Sequence, residues 1–80
     1  MSAWTRTIDG EHLLERGETS IVVCDLEPHG YGAELHIGTE HMLLAGGFSS
    51  AQLAKEGALV ALSDLLEKLE ELLGAAVDAT

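Results

Sequence analysis

Hydrophobic and polar positions alternate in short runs up to residue 48 and then change to one long helical period. Trp4 to Ile8 is rich in aromatic and β-branched residues and predicts a first strand. Residues 9–17 admit two readings. Asp9-Gly10 suits a two-residue hairpin turn, whereas Asp9 could instead cap a short helix from Glu11 to Arg16 that stops at Gly17; of the two, the hairpin is preferred. Ser20 to Leu26 is the clearest strand. Pro28 to Gly32 supplies turn chemistry, and Ala33 to Ile37 answers as a hairpin partner. Ala33, Leu35 and Ile37 then share one face while Glu34 and His36 share the other, the alternation of a sheet with one side on a core. Gly38-Thr39 leads into a short strand at His41 to Ala45, Gly46-Gly47 ends the sheet, and Ser49 or Ser50 caps the next element.

That element is a helix from Ser50 to about Leu73, with Gly74 as its stop. At 100° per residue, Ala58, Leu59, Leu62, Leu65, Leu66, Leu69, Leu72 and Leu73 fall within an arc of roughly 140°, a core-facing stripe. Such a helix is about 36 Å long, against about 20 Å for a six-residue strand, so it overhangs its sheet. Leu65, Leu66, Leu69, Leu72 and Leu73 then face water unless a second chain covers them, which predicts a homodimer through the helix's C-terminal half. The expected architecture is α+β: one domain over 1–80, an antiparallel sheet of three or four strands in 1–47, an amphipathic helix within 49–74 packed on one face, and a tail at 75–80.

Charge adds the next constraint. The 80 residues carry 14 Asp or Glu against 4 Lys or Arg, a formal charge of −10, yet 46% are hydrophobic and mean hydropathy is +0.17. That much apolar material implies a folded core rather than an acidic disordered tail. Four basic residues cannot neutralise a run of phosphates, which excludes direct nucleic-acid binding and docking on anionic lipid and favours a basic partner. Charged residues from Lys55 to Glu71 interrupt the most hydrophobic stretch, Leu53 to Val77, so no membrane span is expected. Cys24 is the single cysteine, excluding an internal disulfide, and the N-terminus lacks the roughly 7 to 15 apolar residues of an export signal; both predict a cytoplasmic protein.

Catalytic chemistry finds little support. His12, His29, His36 and His41, with Cys24, Asp25 and Glu27, include metal-ligating types but none of the short ligand pairs of a structural zinc site, so no metal is expected. No nucleophile elbow or phosphate-cradling loop is present, Cys24 sits in an apolar run as a small hydrophobe, and neither an enzymatic activity nor a cofactor is expected. The carboxylates are more informative. Glu56, Asp64, Glu67, Glu71 and Asp78 gather opposite the leucine stripe, with Lys68 positioned to pair with Asp64. A solvated face that keeps a dimeric structural or adaptor domain soluble accounts for this; an acidic binding face accounts also for the lack of compensating bases, because carboxylates one turn apart, about 5 to 6 Å, approximate the spacing of successive phosphates. The sheet offers a second, partly apolar face, formed by Ile21 and Val23 or by Val22 and Leu26 depending on which side meets the helix. Trp4 and Tyr31 either join it as anchors or close the edge of the core.

The strands at 20–26, 33–37 and 41–45, the Gly46-Gly47-Phe48-Ser49-Ser50 joint and the acidic helix together resemble small phage-encoded anti-CRISPR proteins, in particular inhibitors of type I systems, type I-C among them. The resemblance spans the whole chain in size, acidity and layout and carries no signature motif. It implies binding to the Cascade surveillance complex in the bacterial host and blockage of target-DNA recognition, with Glu56, Asp64, Glu67 and Glu71 standing in for phosphates. The segment from Leu44 to Ala54 also resembles the strand-to-helix joint of HicB-related antitoxins and of integrase arm-binding domains, both three strands plus a helix. An arm-binding domain needs a basic sheet face, which this chain lacks; an antitoxin masking a basic ribonuclease would be acidic as here, though it normally continues into a DNA-binding module.

Overall fold

The structure, a computed structural model, describes residues 4–79. Five strands, β1 (Thr5–Arg6), β2 (His12–Arg16), β3 (Thr19–Asp25), β4 (Tyr31–Ile37) and β5 (Glu40–Phe48), precede one helix, α1 (Ala51–Asp78). The strands form an antiparallel meander in chain order. The α+β layout is therefore the expected one, with five strands instead of three or four, because His12–Arg16 pairs with β1 as a hairpin arm; the turn is the three residues Ile8 to Gly10, closed by Thr7 and Glu11, and not the two-residue Asp9-Gly10 turn. Thr7 holds that first turn: its carbonyl accepts from Gly10 N–H at 3.0 Å and its hydroxyl from Glu11 N–H at 3.1 Å. Ile8, expected in strand β1, sits in this turn and is fully exposed.

Two-residue turns close the β2–β3 and β4–β5 hairpins, Gly17-Glu18 between Arg16 and Thr19 and Gly38-Thr39 between Ile37 and Glu40. Gly38 has φ +59°, the left-handed conformation that hairpin turns of this length demand and glycine adopts at no steric cost. Its N–H donates to the Glu18 carbonyl at 2.9 Å, tying the two turns together at one end of the sheet.

Gly46-Gly47 does not end the sheet. Strand β5 runs through both glycines to Phe48, and the β4–β5 register shifts twice, once between Tyr31 and Ala33 and once between Ala33 and Glu34. Each bulge adds a residue to β5, which is why nine residues face seven, and bulges bend a strand and increase its twist. The curled end delivers Phe48 under the helix, where its ring lies against Gly57.

Ser50 is the cap, its Oγ accepting from Leu53 N–H at 3.2 Å. The helix crosses β5, β4 and β3. Ile21 and Val23, not Val22 and Leu26, form the inward face of β3; with Ala33, Leu35, Ala54 and Ala58 they are the buried core. Two alanines on the helix allow close approach to the sheet. Trp4, Leu14, Tyr31, Leu44, Phe48, Ala51, Leu62 and Leu65 close the rim, so Trp4 and Tyr31 belong to the core's edge. Lys55 Nζ stands 5.5 Å from the centre of the Trp4 ring, within cation–π range.

Helix α1 also passes its expected stop. Gly74 keeps helical dihedrals, and residues 75–78 of the expected tail continue the helix; Ala79 N–H donates to the Ala75 carbonyl at 3.0 Å, and Thr80 lies outside the described residues. A glycine costs a helix only about 1 kcal/mol relative to alanine, and the following Ala75-Ala76 favour continuation. The 28 residues span about 42 Å. Leu65 is the last half-buried residue; from Leu66 to Ala79 every residue is exposed. The overhang stretches the molecule to 47 × 26 × 25 Å with a radius of gyration of 14.4 Å, against about 12 Å for a compact chain of this length. No described helix is long and apolar enough to cross a membrane. The expected absence of an export signal rests partly on residues 1–3, which lie outside the described part.

Candidate functional site: an acidic helix face and an open sheet face

Docking of Ala54 and Ala58 against the sheet sets the rotation of the whole helix, and that rotation sends Glu56, Asp64, Glu67 and Glu71 to solvent. All four are exposed, and among the described residues none joins an ion pair within 4.0 Å. Lys68 does not reach Asp64 at that distance, so the expected i, i+4 pair is not formed. Asp64, Glu67 and Glu71 are successive neighbours three and four residues apart, with about 5–6 Å between their Cβ atoms. They form a compact cluster where the helix leaves the sheet.

Glu56 stands apart from that cluster, because the intervening Val60, 64% exposed, lies on the same face, as does Leu53, 46% exposed, one turn before Glu56. The acidic face is therefore punctuated by two apolar side chains that wheel-based reasoning assigned no role. Their signal in the sequence is the seven-residue spacing of positions 53, 60 and 67, which places all three on one line. Within the first turn of α1 there is no acidic residue, and within the last turn no basic one, so the carboxylates are not distributed to favour the helix dipole.

The second face of the sheet is covered by no described element. Leu13, Val22 and Glu34 align across β2, β3 and β4 in register with Leu43 of β5, which is exposed. In the neighbouring row, Glu15, Ser20 and His36 line up with His41, and the two imidazoles stack with ring centres 5.5 Å apart. Cys24 is half-buried on this open face rather than in the core. Desolvation, reinforced by Glu11, Glu34 and Asp25, pushes its thiol pKa up and keeps it protonated, the opposite of a catalytic cysteine's environment. On the helix side His12 has its pKa lowered, first by desolvation and then by Lys55 and Arg6.

Among the described residues no three of His, Cys, Asp or Glu converge as metal ligands, and His29 stays in the β3–β4 turn, away from the His36–His41 pair. A wide, open depression lined by Asp25, Glu27, Tyr31, Phe48 and Ser49 presents two carboxylates and two hydroxyls, with no histidine, lysine or cysteine among its lining residues. Carboxylates in this arrangement can accept hydrogen bonds and attract cations. Comparisons with protein-family models, curated proteins and solved structures find no match to this chain.

Proposed function

We propose that this chain is a non-catalytic inhibitory binding protein that lays its carboxylates against the cationic surface of a nucleic-acid-binding protein. The target implied by the likeness to phage inhibitors is a type I surveillance complex, Cascade, in the bacterial cytoplasm, and the step blocked is its binding of target DNA. What supports this reading is the cluster Asp64, Glu67 and Glu71, extended by Glu56: four exposed carboxylates that join no ion pair among the described residues, on a helix that projects beyond the body of the domain. Unpaired carboxylates remain free to meet Lys and Arg, and a rigid helix holds them at fixed spacing with little ordering cost on binding.

The test is target-DNA binding by a purified type I-C complex, followed by fluorescence anisotropy with this protein titrated in. DNA binding is expected to be lost, and inhibition to weaken steeply with salt, because charge steering is screened beyond about 8 Å at physiological ionic strength. Reversal of Asp64, Glu67 and Glu71 to lysine, which breaks no ion pair among the described residues, is expected to abolish inhibition while far-UV circular dichroism stays unchanged. Undiminished DNA binding at excess inhibitor would refute the Cascade assignment. Salt-insensitive inhibition, or full potency of the triple variant, would refute the acidic mechanism.

A further inference from the structure

The line of helix residues that docks on the sheet, Ala58, Leu62 and Leu65, continues with the same alternation of four and three residues through Leu69, Leu72 and Ala76, where the sheet has ended. Leu66 and Leu73 flank it. These leucines and Val77 are 52–66% exposed. At the end of the sheet beneath the overhang, Ile37 and Met42 are also 55% and 48% exposed and border a shallow apolar cleft floored by Leu35. Helix and cleft meet at one corner, because Met42 lines a common depression with Leu65 and Lys68.

We propose that a second copy of this chain covers this corner: two overhangs pair antiparallel about a two-fold axis near residues 70–71, and each helix end reaches the Ile37–Met42 cleft of the other copy. Three observations select this occupant and this geometry. The apolar positions recur at coiled-coil spacing, so a like helix fits them knob into hole. Glu67, Glu71 and Asp78 lie on the far side of the helix from the apolar arc, and Glu70 borders it beside Val77, so pairing two strongly acidic chains here leaves the carboxylates at the rim of the seam and out of its centre. The antiparallel arrangement is the one that covers helix and cleft together, since parallel overhangs would point away from both clefts.

The area suffices. A leucine side chain presents ~60–120 Å² of burial-competent apolar surface, so seven residues little more than half exposed offer roughly 400 Å² per copy. With polar surface making up the usual 35–45% of an interface, two copies bury about 1,300 Å², within the range of stable dimers. Leu65, expected in the interface from the sequence, is half-buried against its own sheet and only edges it; Val77, Ile37 and Met42 take its place. This inference does not depend on the acidic face having a target.

Sedimentation equilibrium of the full chain at micromolar concentration is expected to give a dimer, and Leu69→Glu with Leu72→Glu to weaken dimerisation at least ~100-fold by burying carboxylates among leucines. Neither side chain contributes to the buried core, so circular dichroism of the variant should show the helix and sheet retained. Spin labels at position 56, in a Cys24→Ser, Glu56→Cys background, are expected above ~35 Å apart between copies, whereas parallel helices would place them within ~20 Å. A monomeric wild-type chain, a dimer untouched by the double substitution, or the short label distance would overturn the proposal.

Discussion

Substitution of Gly57 by alanine isolates the contact that seats the helix on the sheet. A Cβ at this position would lie 2.2 Å from Cζ and 2.6 Å from Cε1 of Phe48. Carbon atoms in contact stand about 3.5–4.0 Å apart, so the ring would have to retreat by about 1.3 Å or more. It has little freedom to do so, because Phe48 is paired with Tyr31 on one side and is followed two residues later by the capping Ser50. Two effects of opposite sign compete. Alanine favours a helix interior by about 1 kcal/mol over glycine, while overpacking of this kind costs typically ~1–3 kcal/mol. A net loss of about 1 kcal/mol is expected in urea unfolding followed by far-UV circular dichroism at one fixed protein concentration. In a Phe48→Ala background the clash is gone and the same Gly57→Ala change should stabilise by about 1 kcal/mol, giving a coupling of roughly 2 kcal/mol in the double-mutant cycle. If Gly57→Ala stabilises the parent protein as much as it stabilises the Phe48→Ala variant, the ring does not sit under residue 57 and the docking described is wrong.

Removing the cap by Ser50→Ala should cost about 1 kcal/mol in the same unfolding assay, because Leu53 N–H loses its acceptor, whereas Ser50→Asp should cost nothing and adds the negative charge that the first turn lacks. For His12, whose folded pKa is lowered below its unfolded value of 6.5, the unfolded chain binds the extra proton first; its contribution to stability is therefore complete above pH 6.5 and is lost as pH falls through the folded pKa. An NMR titration should give a His12 midpoint below 6.5, and His12→Gln should flatten the stability profile in that window; a midpoint above 6.5 contradicts the environment described. The Cys24 thiol, raised by desolvation and three neighbouring carboxylates, should react slowly with a thiol reagent at neutral pH, with a rate that keeps climbing beyond the ordinary cysteine pKa; rapid modification at pH 7 would show that it lies elsewhere.

The candidate site was legible where it rests on local periodicity. Glu56, Asp64, Glu67 and Glu71 share one side of a helix because of their spacing alone, and the helix is too long for its sheet by simple rise per residue. The exposed Val60 and Leu53 among them were not singled out, since a wheel shows direction but not where covering structure ends. The Asp64–Lys68 pair illustrates the same limit: spacing permits the contact, and the side chains do not make it.

The sequence by itself determined the α+β class, the three longest strands, the capped helix, the overhang and the excess of negative charge, because each follows from residue types over a few neighbouring positions. Only the tertiary structure decided which side of β3 turns inward: Ser20 to Leu26 is apolar on both sides, and the choice of Ile21 and Val23 is made by helix α1 arriving over β3, β4 and β5. It also decided that Gly46-Gly47 form a bulge instead of a break, since β4 was there to pair with the residues beyond them, and that the helix passes Gly74, since nothing packs near it to end the helix. Breaking signals are local, but whether they act depends on what lies alongside the chain.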